Sequence, residues 1–133
     1  MTKEDILAKL RAFPCDPGGY WVVAGAAMVL HGIKEETADI DLGCTTETAD
    51  RLETEGHSYR RTRDGRRWFK IGNDIEIFEG WLYDTIVAVG GVPVISIQGL
   101  IQMKRELGRE KDLRDLDLIE RHLAARTDDP EKT

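Results

Sequence analysis

The run Asp39-Ile40-Asp41-Leu42 alternates carboxylates with branched aliphatic side chains, and an extended strand sorts such an alternation onto two opposite faces. One face is then apolar, and the other carries two carboxylates roughly 6 to 7 Å apart between their Cα atoms. A second run of the same kind, Asp74-Ile75-Glu76-Ile77-Phe78, follows Gly72-Asn73 and sets Asp74 and Glu76 opposite Ile75 and Ile77.

The flanking segments supply helices and a hairpin. Thr2 is placed to cap a first helix whose apolar positions, Ile6, Leu7, Leu10 and Phe13, keep helical spacing up to Pro14 and the Pro17-Gly18-Gly19 break. Residues 20–24 are aromatic and β-branched and predict a strand. At Gly25 the composition changes to Ala26-Ala27-Met28-Val29-Leu30, a helix-favouring run closed by Gly32. Thr45 or Thr46 caps a short helix towards Glu55, and residues 59–71 predict a hairpin turning at Asp64-Gly65. Residues 81–94 stay undecided, since 85–89 fits a helical turn or a strand before Gly90-Gly91 and Pro93. Ser96 caps a helix to Leu107, Gly108 stops it, and a final helix from about Lys111 to Ala125 presents Leu113, Leu116, Ile119, His122 and Leu123 as its inner face. The expectation is an α+β fold, a mixed sheet flanked by helices, over residues 1–125, followed by a polar tail over residues 126–133.

A chain of 133 residues suits one domain with its own core. The net charge of −6 disfavours non-specific binding along a nucleic-acid backbone. Cys15 and Cys44 form no C-x-x-C or Cys/His pattern, which points to neither a disulfide framework nor a zinc site. The N-terminus is acidic where a signal peptide is basic, and the apolar run over residues 21–30 is too short to span a bilayer. A soluble, cytoplasmic protein without a membrane partner is expected. Neither G-x-x-x-x-G-K nor G-x-G-x-x-G occurs, so P-loop and dinucleotide-fingerprint readings lose their support.

Carboxylates packed side by side repel each other and call for a cation. Hard oxygen donors favour Mg²⁺ or Mn²⁺. Glu76 is the candidate third carboxylate for a phosphoryl-transfer metal site, with Asp74 as its competitor. Gly25 and Ala26, between a strand and a helix, offer small residues and free backbone N–H groups suited to phosphate.

Val23-Ala24-Gly25-Ala26, followed after twelve residues by Asp39-Ile40-Asp41-Leu42, resembles the signature of the polymerase-β-like nucleotidyltransferase superfamily. The surrounding sequence, His31-Gly32 through Thr37-Ala38-Asp39, is most similar to minimal bacterial members such as lincosamide nucleotidyltransferases and abortive-infection toxins. The resemblance runs from about Tyr20 to Leu123. It implies that Gly25 and Ala26 line the phosphates of an NTP, that Asp39 and Asp41 bind metal, and that Glu76 takes the third carboxylate position. The implied reaction moves NMP from the NTP to an acceptor hydroxyl on a small molecule, an RNA end or a protein, releasing pyrophosphate. Two departures support a rival reading as a non-catalytic nucleotide-binding or protein-interaction module, such as half of a toxin–antitoxin pair. Ala26 stands where glycine or serine is usual. Glu35, with Lys34 beside it, stands where arginine is frequent.

The hairpin is strongly basic, with Arg60, Arg61, Arg63, Arg66, Arg67 and Lys70 relieved only by Asp64. Its charges suit either an anionic acceptor or a solvated edge that discourages strand-to-strand aggregation. His31, His57 and His122 lack ligand spacing, and Trp21, Trp68 and Trp81 are expected in the core rather than as a stacking platform.

Overall fold

A computed structural model describes residues 1–13 and 15–127 of the chain. Pro14, expected to end the first helix, and residues 128–133 of the expected tail lie outside the described residues. Helix α1 (Lys3–Arg11) opens on a reciprocal cap between Thr2 and Asp5 and ends at Ala12. Strand β1 (Tyr20–Val23) passes directly into α2 (Ala24–Leu30). Strand β2 (Ile40–Cys44) leads to α3 (Thr46–Thr54), which Thr45 caps. Then come β3 (Tyr59–Arg61), β4 (Arg67–Ile71), β5 (Ile75–Glu79), β6 (Ile86–Val89) and β7 (Val92–Ile95). Helix α4 (Ile97–Leu107) is capped by Ser96 and stopped by left-handed Gly108, and α5 (Glu110–Thr127) closes the described chain.

The strands form one mixed seven-stranded sheet in the order β3-β4-β5-β2-β1-β7-β6. β2 lies antiparallel to β1 and parallel to β5, and β7 lies parallel to β1. Helix α2 packs on β1, β2 and β7, α4 packs on α2, and α5 packs on α4. Ile40, Leu42, Phe69, Ile77 and Val94 are fully buried. Pleating turns Asp41, Glu76, Phe78, Trp68 and Lys70 to the opposite face. The fold class is therefore α+β as the sequence predicts.

The undecided stretch resolves into the β6–β7 hairpin, in which Ala88 pairs with Pro93. Ile86 and Val87 on its outer strand are exposed. On α5, Ile119 is buried and Leu123 packs against the core as expected, but Leu113 is 58% exposed, and Asp112 and Asp115 are buried instead. The phase of the helix is set by charge, because Lys104 of α4 lies 3.3 Å from Asp112 and 2.9 Å from Asp115. The helix also continues to Thr127, past the expected tail boundary.

Candidate active site

Three carboxylates stand in a row where the sheet meets α2. Asp41 pairs in register with Val23 on one side and with Glu76 on the other, which sets its Cα roughly 5 Å from that of Glu76. Asp39 lies just ahead of β2, exposed. Asp74 sits outside β5 and takes an ion pair from Lys9 of α1 at 2.5 Å, so the competitor of Glu76 is engaged with a helix. Asp39, Asp41 and Glu76 all line a cleft of about 490 Å³.

Asp41 carries the strongest electrostatic signal of the three. Burial, the charges of Asp39 and Glu76 and a hydrogen bond with Glu76 push its pKa up to about 6, against the opposing charges of Lys111 and Arg109. Its Oδ1 is buried without a hydrogen-bond partner among the described residues. An orphaned anionic oxygen beside two more carboxylates is a donor set that fits a hard divalent cation. Among the described residues no three His, Cys, Asp or Glu side chains are already closed around one point. The trio is thus an open row of donors and not a finished cage.

The junction between β1 and α2 forms the cleft wall. Ala24 adopts φ 56°, left-handed for a residue with a Cβ, a conformation that costs roughly 1–2 kcal/mol. The sharp turn is therefore made by Ala24 and not by Gly25. Gly25 is needed for a different reason, since a Cβ there would lie 2.8 Å from Thr37 Oγ1. Ala24, Gly25 and Thr37 line the cleft. Ala26, expected beside phosphate, is 0% exposed and packs in the core. Helical geometry turns it inward one residue after Gly25.

The far side of the cleft is basic. Lys34, Lys104, Arg109, Lys111 and Arg114 line it. Lys34 pairs with Asp115 at 2.8 Å, and Arg109 donates to Asp112 at 2.6 Å. Burial raises the pKa of Asp112, but Arg109 and Lys104 outweigh it and hold the group at about 2. Glu35 is exposed and does not line the cleft, whereas its neighbour Lys34 does. Lys34 and Thr37 are cleft residues that the motif does not reveal, because their placement depends on how the loop between α2 and β2 folds back.

The three tryptophans divide. Trp21 is buried and donates from Nε1 to the Trp81 carbonyl at 2.8 Å. Trp81 and Phe78 line the cleft and meet edge to face at 4.8 Å. Trp68 stacks on Phe78 at 5.5 Å. His31 places Nε2 2.8 Å from the Ile95 carbonyl oxygen.

No family model matches the sequence, and no curated protein matches it. Two solved structures share its architecture. A candidate nucleotidyltransferase from Thermotoga maritima superposes with a TM-score of 0.60 at 20% identity, covering 88% of this chain and 93% of its own. The aminoglycoside nucleotidyltransferase ANT(2″)-Ia, solved with adenylyl-2″-tobramycin, superposes with a TM-score of 0.53 at 19% identity, covering 94% of this chain and 88% of its own. The chain has the nucleotidyltransferase fold. No helix among the described residues is long and apolar enough to cross a membrane.

Proposed function

We propose that this chain is a metal-dependent nucleotidyltransferase that moves NMP from an NTP to an acceptor hydroxyl and releases pyrophosphate. The observation that carries the reading is Asp41, in register with Glu76 and with a buried Oδ1 that has no partner among the described residues, at the mouth of a cleft whose opposite side is basic. Asp39, Asp41 and Glu76 would hold Mg²⁺ or Mn²⁺, which would neutralise phosphate charge as it develops in the transition state.

The residues supply positioning and proton transfer, which dominate phosphoryl-transfer catalysis. Gly25 leaves room for backbone to approach the phosphates. Lys111 and Lys34 offer charge to the polyphosphate. Glu76 accepts the proton of the acceptor hydroxyl. As the hydroxyl oxygen bonds to the α-phosphorus, the bond from that phosphorus to the bridging oxygen breaks. Its electron pair leaves on pyrophosphate.

The grounds for a non-catalytic reading weaken, because Glu35 stands away from the cleft and Ala26 is core. The test is pyrophosphate release and transfer of α-phosphate label with each of four NTPs, Mg²⁺ or Mn²⁺, and pooled RNA or small-molecule acceptors. Asp39→Asn with Asp41→Asn should abolish transfer and also remove the Mn²⁺-induced rise in melting temperature. A wild type showing neither transfer nor a Mn²⁺ response would refute the assignment.

A further inference from the structure

The basic hairpin splits into charges that hold the hairpin and charges that do not. Arg67 is buried and its guanidinium reaches Glu79 at 2.7 Å and Asp50 at 2.8 Å. Arg66 donates to the Gly80 carbonyl at 2.9 Å and pairs with Asp64. Arg61 donates to the Gly65 carbonyl at 2.8 Å. The structure gives Arg60 and Lys70 no ion pair or side-chain hydrogen bond among the described residues.

Arg63, in the turn, has none among the described residues either, but Arg60 and Lys70 share a face with the carboxylate row. Lys70 pairs in register with Glu76, and Arg60 pairs with Trp68, two residues from Lys70 on the same face of β4. Reading across neighbouring strands, the row runs Asp41, Glu76, Lys70, each step roughly 5 Å. Charge changes sign at Glu76. A second cavity, of about 500 Å³, is lined by Arg60, Trp68, Lys70 and Glu76, and Glu76 also lines the first cleft. Trp68 forms the cavity's aromatic wall, and its Nε1 has no hydrogen-bond partner among the described residues. If these charges served only to protect the edge strand, they would have no reason to flank Glu76 beside an aromatic wall.

We propose that Arg60, Trp68 and Lys70 form the acceptor subsite and select a phosphate-bearing alcohol, with its phosphate on Arg60 and Lys70 and its free hydroxyl at Glu76. The proposal rests on the transfer reaction inferred above for the direction of attack, but its recognition chemistry is testable without turnover. The hydroxyl gives its proton to Glu76, its oxygen bonds to the α-phosphorus of the NTP, and pyrophosphate leaves with the electron pair. Phosphate and hydroxyl occur together both at the 3′ end of an RNA strand and in a free phosphorylated polyol.

Two probes separate those sources: a single-stranded RNA hexamer with a free 3′ hydroxyl, and glycerol 3-phosphate. Binding of each is measured by calorimetry on the full chain over a salt series, for wild type, Arg60→Gln with Lys70→Gln, the charge-retaining Arg60→Lys with Lys70→Arg, and Arg63→Gln as a charge change in the turn. The neutral double variant should lose at least tenfold in affinity for whichever probe the wild type binds, with unchanged melting temperature and Mn²⁺ response. For the hexamer its salt slope should fall by about 0.7 for each phosphate that the protein no longer neutralises. The charge-retaining variant and Arg63→Gln should stay within about threefold. The proposal is overturned if wild type binds neither probe, if the neutral variant binds as wild type does, or if Arg63→Gln loses as much. Loss of binding in the neutral variant supports the subsite even if no NTP is consumed, which would sink the transfer reaction alone. Undiminished transfer to a phosphate-bearing acceptor by that variant sinks the subsite alone.

Discussion

Asp41→Asn should stabilise the metal-free protein at neutral pH, although it removes a candidate catalytic group. Burial and the neighbouring charges of Asp39 and Glu76 raise the Asp41 pKa from 3.8 to about 6. The native state therefore holds this proton more tightly than the unfolded chain does. Below about pH 4 both states are protonated and Asp41 costs nothing. Between about pH 4 and 6 the unfolded chain ionises this group while the native state keeps it protonated, so the native state loses roughly 3 kcal/mol relative to an uncharged side chain, and the loss is nearly complete once pH passes 6. Asparagine recovers that loss but leaves an amide group unpaired where Oδ1 now lies, at roughly 1 kcal/mol. The expected net gain at pH 8 is about 1–2 kcal/mol, or roughly 3–6 °C in melting temperature for a chain of this size. The assay is urea or thermal unfolding in EDTA from pH 4 to 8, wild type against variant. The variant should lie up to about 1 kcal/mol below wild type at pH 4 and under, cross it between pH 4 and 6, and run parallel above it by about 1–2 kcal/mol from about pH 7. A variant that is neutral or destabilised at pH 8, or a difference that does not depend on pH, would refute the claim that charge repulsion and burial strain this position.

Because Mn²⁺ binding must displace the Asp41 proton, its stabilising effect should be full above about pH 7 and fade as pH falls through 6, as melting curves at fixed Mn²⁺ would show. Glu76→Gln should lower nucleotidyl transfer by roughly two orders of magnitude, whereas Asp74→Asn, which loses only its pair with Lys9, should retain most of it. Single-turnover rates of the two variants decide the ranking. Glu79→Gln should cost about 2–3 kcal/mol in urea unfolding at pH 7, since it leaves buried Arg67 without its closest anion. Hydrogen bonds from Arg67 depress the Glu79 pKa to about 2 against the opposing effect of burial, so that stability is complete above about pH 4.5 and disappears as pH falls through 2. Ala24→Gly should be neutral or stabilising by up to about 1 kcal/mol, because glycine adopts the left-handed backbone without strain. A loss above 1 kcal/mol in the same assay would contradict the strain assigned to Ala24.

What the sequence revealed was written in local periodicity. Strands β2 and β5 show themselves through alternation, and α1, α3 and α4 through caps at Thr2, Thr45 and Ser96, because those signals depend only on residues a few positions apart. Features set by distant partners are not legible in this way. Alanine gives no hint of a positive φ, so composition puts the turn at Gly25 when it falls at Ala24, and the real constraint on Gly25 comes from Thr37. Leu113 reads as core in any helical count, but Lys104 on another helix rotates Asp112 and Asp115 inward instead. The β6–β7 hairpin is obscured because Pro93 argues against a strand interior and because Ile86 and Val87 are apolar yet exposed. Of the site residues, the carboxylates can be named from spacing. That Asp41 and Glu76 lie side by side is a matter of strand order, and strand order is carried by no motif.

The charge layout explains why a chain of net charge −6 can offer places for anions. Asp112 and Asp115 are buried at the cleft, Asp115 within its lining, and they fix Lys104, Arg109 and Lys34 on its wall. Asp50 and Glu79 do the same for Arg67 beneath the hairpin. In both places the acids orient the bases. The carboxylate row is the exception, since Asp41 has two carboxylates for neighbours, and Lys111 and Arg109 do not outweigh them and its burial. Among the described residues the fold pairs its other buried charges closely, whereas here a retained proton does part of that work below about pH 6, and above it a bound cation would do the same.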